Sequence, residues 1–275
     1  MKSKIINILI IQLFIIAAIC GYFFMRDYRT AQKEIAEYAA MREQFTAVVS
    51  NNDSEYEETD KLITESEVVP SVRAGLPLLE IDFEALLQIN SSTVGWIAIP
   101  NTPVSYPVVQ TNNHVRYLTT SFNGEHSRAG TVFADKNNNM RILDRNTIIY
   151  GHNMGVGRTD MFSVLLGYKD YEFFNSNRYI QFDTIYRNYG WWEVFAVIEY
   201  DVRSNDFQYL QIGFSNENAF MDWIKQVKEL SIHDSNISIS PNDRVLTLST
   251  CDRSNFGRDG RLLIIAVHIN YIAMG

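Results

Sequence analysis

The first pattern along the chain is an unbroken apolar run. Residues 5–24 include only Asn7 and Gln12 as strongly polar members. As a helix rising about 1.5 Å per residue, the run spans roughly 30 Å, the thickness of a bilayer's hydrocarbon core. A cleaved signal peptide would have a shorter apolar region closed by a small-x-small site. A lipoprotein signal would place a small residue before Cys20, where Ile19 stands. The run therefore reads as an uncleaved membrane anchor. The period then becomes helical: residues 26–49 lack Gly and Pro and space Ile35, Tyr38, Met41, Phe45 and Val48 along one face. Residues 51–67 follow with seven carboxylates and one lysine, which reads as a solvated spacer.

From about residue 76 the period shortens. Residues 81–89 predict a short helix. Eight β-type runs come next, at 94–99, 104–109, 130–134, 146–150, 179–184, 191–200, 244–250 and 261–269, rich in β-branched and aromatic residues and separated by Asn, Gly, Asp and Pro. Eight short strands predict a closed or nearly closed barrel. Between residues 200 and 244 a helix must intervene, with Phe220, Trp223, Ile224, Val227 and Leu230 on one face and Ser215 or Asn216 as its cap. The expected organisation is an anchor at 1–25, a helical and acidic spacer at 26–75, and a mainly β domain with peripheral helices at 76–275.

Composition narrows the function. In 275 residues, 46% are hydrophobic and 20% charged, which excludes a disordered chain. A net charge of −8 argues against nucleic acid as partner. Only Cys20 and Cys251 are present, so neither a disulfide framework nor a multi-cysteine zinc site is available. Basic residues flank the apolar run on both sides (Lys2 and Lys4 before it; Arg26, Arg29 and Lys33 after it), so charge leaves its orientation open.

Cys251 carries the strongest chemical signal. It ends the strand-like run Val245-Leu246-Thr247-Leu248-Ser249-Thr250 and precedes a polar loop, so its thiol is presented at a barrel rim. A buried structural cysteine would not be followed by Asp252, Arg253, Ser254 and Asn255. A cysteine nucleophile needs a basic or cationic neighbour to reach its thiolate. Of the five histidines, His268 lies in an apolar strand and reads as a core residue, and His126 and His233 lie in polar loops with nothing to orient them. His152, just after the strand Thr147-Ile148-Ile149-Tyr150 and Gly151, can face Cys251 across the rim. Arg261 opens the next strand after a turn containing Gly257 and Gly260, which returns its guanidinium to the sulfur; there it could hold a thiolate or an oxyanion. Asp252 should point to the opposite face by strand alternation.

Thr247-Leu248-Ser249-Thr250-Cys251, the arginine ten residues later and the upstream Tyr150-Gly151-His152-Asn153 together resemble the sortases, membrane-anchored cysteine transpeptidases of Gram-positive bacteria. Val94-Gly95-Trp96-Ile97, Tyr106-Pro107-Val108-Val109-Gln110 and Gly130-Thr131-Val132-Phe133-Ala134-Asp135 resemble class B members, and the likeness runs from about residue 94 to 269. The resemblance implies an eight-stranded sortase-type β-barrel with helices ahead of it and one between the sixth and seventh strands. It also implies a single-pass membrane protein with its amino terminus inside and its barrel outside. Cys251 matches the family's nucleophile, His152 its general acid and base, and Arg261 its substrate and oxyanion arginine. Leu118, Tyr150 and Ser249 match positions lining its substrate groove. Asn113-His114 stands where class B enzymes commonly have Asp-Asn, which bears on substrate preference. The implied reaction cleaves a Leu-Pro-x-Thr-Gly-like or Asn-Pro-x-Thr-like sorting signal after threonine and joins the surface protein, through a thioester, to an amine of a cell-wall precursor. It requires no metal and no cofactor. Three other readings share these residues: a pilin-polymerising sortase with a lysine acceptor, a cysteine protease releasing its substrate to water, and a membrane-tethered domain that binds wall components without catalysis.

Overall fold

The structure, a computed structural model, describes residues 2–48, 78–113, 115–204 and 206–269. His114 and the acidic stretch at 51–67 lie outside the described residues. The chain divides into two compact units, residues 1–41 and 42–275. A single helix, α1, runs Lys2–Phe45. It contains an 18-residue window of mean hydropathy 1.6, long and apolar enough to cross a membrane. The helix expected over 26–49 is the second half of α1 and stops earlier. Thr46–Val48 forms strand β1, which pairs antiparallel with β2, Leu79–Ile81. Val48 therefore belongs to a strand and not to the helical face. Ile81 likewise sits in β2, because Asp82 caps the following helix α2, Phe83–Ile89, by accepting from the Ala85 N–H at 2.9 Å.

The barrel strands are β3 (Thr93–Ala98), β4 (Ser105–Val109), β5 (Phe133–Ala134), β6 (Asn146–Tyr150), β7 (Tyr179–Thr184), β8 (Trp191–Asp201), β9 (Val245–Cys251) and β10 (Gly260–His268). They close in the order β10-β8-β7-β3-β4-β5-β6-β9. Most neighbours are antiparallel, but β4–β5 and β6–β9 are parallel. Parallel neighbours need long crossovers, and both of these crossovers carry residues to the site. The strand expected at 130–134 shrinks to two residues. Gly130 has a positive φ of 63°, and the Thr131 N–H is spent on the Tyr117 carbonyl at 2.9 Å, so the chain there braces the preceding loop instead of pairing in the sheet.

The helix expected between the sixth and seventh barrel strands is present. In chain order, α3 is Tyr171–Ser176 and this helix, α4, is Glu217–Leu230, with Asn216 as its cap. Phe220, Trp223, Ile224 and Val227 pack with Phe195, Leu263 and Ile265 in one buried cluster. Leu230 departs from the expected face: it is 42% exposed, because the helix ends there and Ser231 turns the chain back to β8.

Candidate active site

Cys251 is the last residue of β9, and its register partner on β10 is Arg261. Directly opposed residues in an antiparallel pair project from the same face. One strand further across the sheet, Tyr200 of β8 pairs with Arg261. Cys251, Arg261 and Tyr200 thus form one cross-strand row. The turn between the two strands is the short helix α5, Arg253–Phe256, followed by a 3-10 turn, Gly257–Asp259. Gly260 is needed for space: a Cβ there would lie 1.9 Å from the Asp252 carbonyl oxygen. The Arg261 Nη1 donates to the carbonyls of Arg258 and Gly260 at 3.0 and 2.8 Å, which fixes the guanidinium against the turn.

His152 reaches the same region from β6. Tyr150 pairs in parallel with Ser249, and the Gly151 N–H continues the ladder onto the Ser249 carbonyl at 3.2 Å. Thr250 Oγ1 donates to the Gly151 carbonyl at 2.8 Å. A Cβ on Gly151 would fall 2.5 Å from the Phe162 ring, so the backbone before His152 is pressed onto an aromatic wall. The His152 Nε2 lies 2.8 Å from the Leu118 carbonyl oxygen. A carbonyl only accepts, so Nε2 carries a proton, and in the neutral ring the lone pair is on Nδ1. Asn153, the next residue, donates from Nδ2 to the Cys251 carbonyl at 2.8 Å. The histidine loop and the cysteine strand are therefore tied directly together.

Cys251, half-buried, and His152 line one groove of about 630 Å³, together with Met154, Val156, Leu166 and Arg128. Arg261, Leu118, Tyr150 and Ser249 are not part of that lining. Leu118 contributes its backbone carbonyl to His152. Tyr150 donates its hydroxyl to Asp135 at 2.8 Å. Burial, with the Asp135 charge next, pushes the Tyr150 phenol well above its ordinary range, while Arg261 pulls it down. Burial likewise raises the Tyr209 phenol, with Arg261 and a hydrogen bond to Ser249 opposing. Tyr150, Tyr209, Ser249 and Arg261 thus make a second polar patch beside the Cys251–His152 groove.

The other histidines divide. His268 is a packed residue, bonded to the Tyr189 carbonyl at 2.8 Å and stacked on Trp192. His233 departs from expectation: Tyr168 accepts at 2.8 Å from its ring and Phe174 lies 4.9 Å away, so it is firmly oriented by the segment around α3. Among the described residues, no group of three or more His, Cys, Asp or Glu could hold a metal ion.

Two features went unread in the sequence. One is Asn153, whose only signal was its place after His152. The other is the partner of Asp252: its carboxylate, on the side that alternation predicts, is bonded to Lys169 Nζ at 2.9 Å. Burial opposes ionisation of Asp252, but hydrogen bonds from Ser254 and Lys169 outweigh it and leave its pKa lowered.

Comparison with known proteins adds a family. A sortase-domain family model matches residues 97–269. A sortase B of Listeria monocytogenes is 37% identical over 179 residues, covering 65% of this chain and 70% of that protein. A sortase B of Staphylococcus aureus is 29% identical over 264 residues, 96% of each chain. A solved Staphylococcus aureus sortase B–substrate complex is 33% identical, with a TM-score of 0.62 over 70% of this chain and 85% of that one.

Proposed function

The chain belongs to the sortase family as a class B member, a cysteine transpeptidase, and from that premise we propose how its residues divide the work. Cys251 is the nucleophile, His152 the general acid and base, and Arg261 the group that holds the oxyanion. The observation that carries this reading is the direct cross-strand pairing of Arg261 with Cys251, beside a groove that Cys251 shares with His152.

The Cys251 sulfur attacks the carbonyl carbon of a threonine in the sorting signal, and the carbonyl oxygen takes the negative charge. Arg261, the cross-strand partner of Cys251, answers that charge with its planar donors. As the C–N bond breaks, protonated His152 gives its proton to the departing amine, leaving a thioester on Cys251. An amine then attacks the thioester carbonyl, His152 accepts its proton, and the thiolate leaves. With Nε2 engaged by the Leu118 carbonyl, Nδ1 is the atom that exchanges the proton.

The cleaved signal is a Leu-Pro-x-Thr-Gly-like or Asn-Pro-x-Thr-like segment at the carboxyl terminus of a surface protein, and Leu118, Tyr150 and Ser249 contribute to its seat. The acceptor is an amine of a cell-wall precursor; a pilin lysine would use the same thioester. Residues 1–25 anchor the protein in the cell membrane as a single pass, residues 26–75 space it away, and the domain at 76–275 works outside. The test is incubation of the enzyme with a library of such peptides and an amine acceptor, followed by mass spectrometry. Ligated product is expected. Hydrolysis alone would make the protein a protease, and no reaction would make it a binding domain.

A further inference from the structure

Strand alternation separates two sets of charges at the end of β9. Cys251, Arg261 and Tyr200 share one face. Thr250, Leu262 and Glu199 form the next cross-strand row and project from the other. Asp252, with extended backbone (φ −123°, ψ 110°), falls on the Glu199 side. Its side chain is 5% exposed, so its charge is taken from water within one residue of the thiol.

Lys169, the last residue of a 3-10 segment, Ser163–Lys169, meets that charge. Its Nζ forms ion pairs with Asp252 and with Glu199, and lies 3.1 Å from Ser254 Oγ. Glu199 also accepts from Asn255 Nδ2 at 3.1 Å. One ammonium thus gathers two carboxylates and the turn that follows the cysteine. Burial works against the charge on Lys169, yet the bonds to Glu199 and Asp252 more than offset it and raise its pKa.

We propose that Lys169 is a positioning residue for acyl transfer: its ammonium neutralises the Asp252 carboxylate and ties it to the turn, so that no uncompensated anion stands one residue from the Cys251 thiolate. A buried carboxylate left without its counter-charge disfavours a second negative charge beside it. Loss of Lys169 would leave the Asp252 charge uncompensated beside the strand end and raise the cost of a thiolate on Cys251. The inference rests on the roles proposed above for Cys251, His152 and Arg261, but its readout needs no peptide substrate.

The readout is the rate at which neutral iodoacetamide alkylates Cys251 at pH 7 in the full chain in detergent, followed by mass spectrometry of the peptide bearing Cys251, so that Cys20 does not interfere. Lys169→Met should slow alkylation at least about threefold, because an uncompensated anion then disfavours the neighbouring thiolate. Lys169→Arg should stay within about twofold of the unaltered chain, since it keeps the charge. Adding Asp252→Asn to Lys169→Met should restore the rate to within about twofold; asparagine still caps α5 but carries no charge that needs a partner. If Lys169→Met loses its thermal transition, Lys169→Gln takes its place with the same expected pattern. An unchanged or faster rate without Lys169, or no recovery in the double variant, would overturn the proposal. Either result would leave peptide turnover by Cys251 a separate question.

Discussion

At the scale of single residues, Cys251 and Arg261 are neighbours across two strands, and this makes their substitutions separable. The Arg261 guanidinium uses Nη1 on two backbone carbonyls of the turn, which leaves the rest of its fork free to face a carbonyl oxygen. A lysine has no such fork. Arg261→Lys is therefore expected to lose roughly a hundredfold in turnover, the scale of a lost oxyanion donor, while the alkylation rate of Cys251 changes far less. Equal losses in both would make Arg261 a thiolate stabiliser instead. For His152→Ala, turnover should fall at least about a hundredfold with substrate binding nearly intact; a drop of only a few-fold would move proton transfer elsewhere. These three residues could be picked out from the sequence because each sits at a strand end next to a turn or glycine. Leu118 was picked out as a groove position by resemblance, yet it meets His152 through a backbone carbonyl, which residue type does not report. The Lys169–Asp252 pair spans 83 positions, and no local pattern connects them.

At the scale of elements, the site is held by two close approaches and one ion-pair node. Gly260→Ala would drive a methyl into the backbone of Asp252, and Gly151→Ala would drive one into the Phe162 ring. Overpacking of this kind costs about 1–3 kcal/mol. Gly260→Ala is expected at the upper end, because a backbone carbonyl yields less than a ring, and thermal melting of both variants tests the order. The node makes a pH-dependent claim. Asp252 has a lowered pKa, so its share of stability is present above the unfolded carboxylate value and lost as pH falls through the folded one. Lys169 has a raised pKa, so its share is lost only as pH climbs through that value. The melting deficit of Lys169→Met should be clear at pH 7 and shrink toward about pH 2; a deficit independent of acid would contradict the pairing. Most strand positions were legible because alternation and β-branched residues mark them. The ends were less so. Val48 has helical spacing but pairs with Leu79, and residues 130–132 have strand-like composition but spend a backbone donor on the loop before them.

At the scale of the whole molecule, the barrel's closure decides what can be removed. The unit at 42–275 contains β1, β2 and all eight barrel strands. A fragment starting at residue 26 is expected to be soluble and to keep peptide turnover within about threefold, as the apolar half of α1 sets only location. A start at residue 51 deletes β1 and leaves β2 without its partner, so that fragment should melt lower in side-by-side thermal scans. For the full chain, amino-terminal sequencing of membrane-bound protein should begin at or near residue 1; a start near Ala18 or Cys20 would mean the run is cleaved. Barrel closure and the helix after β8 were legible from strand count and the long connection. The parallel pairings that bring Gly151 beside Ser249 were not, since pairing partners leave no periodicity. The central claim is that Cys251 carries the acyl group, and intact-mass analysis of enzyme mixed with sorting-signal peptide, without acceptor amine, tests it most directly. The account requires an adduct equal to the peptide up to threonine, located on Cys251, released by an added amine and absent in Cys251→Ala. An adduct on another residue, or undiminished turnover in Cys251→Ala, would contradict it.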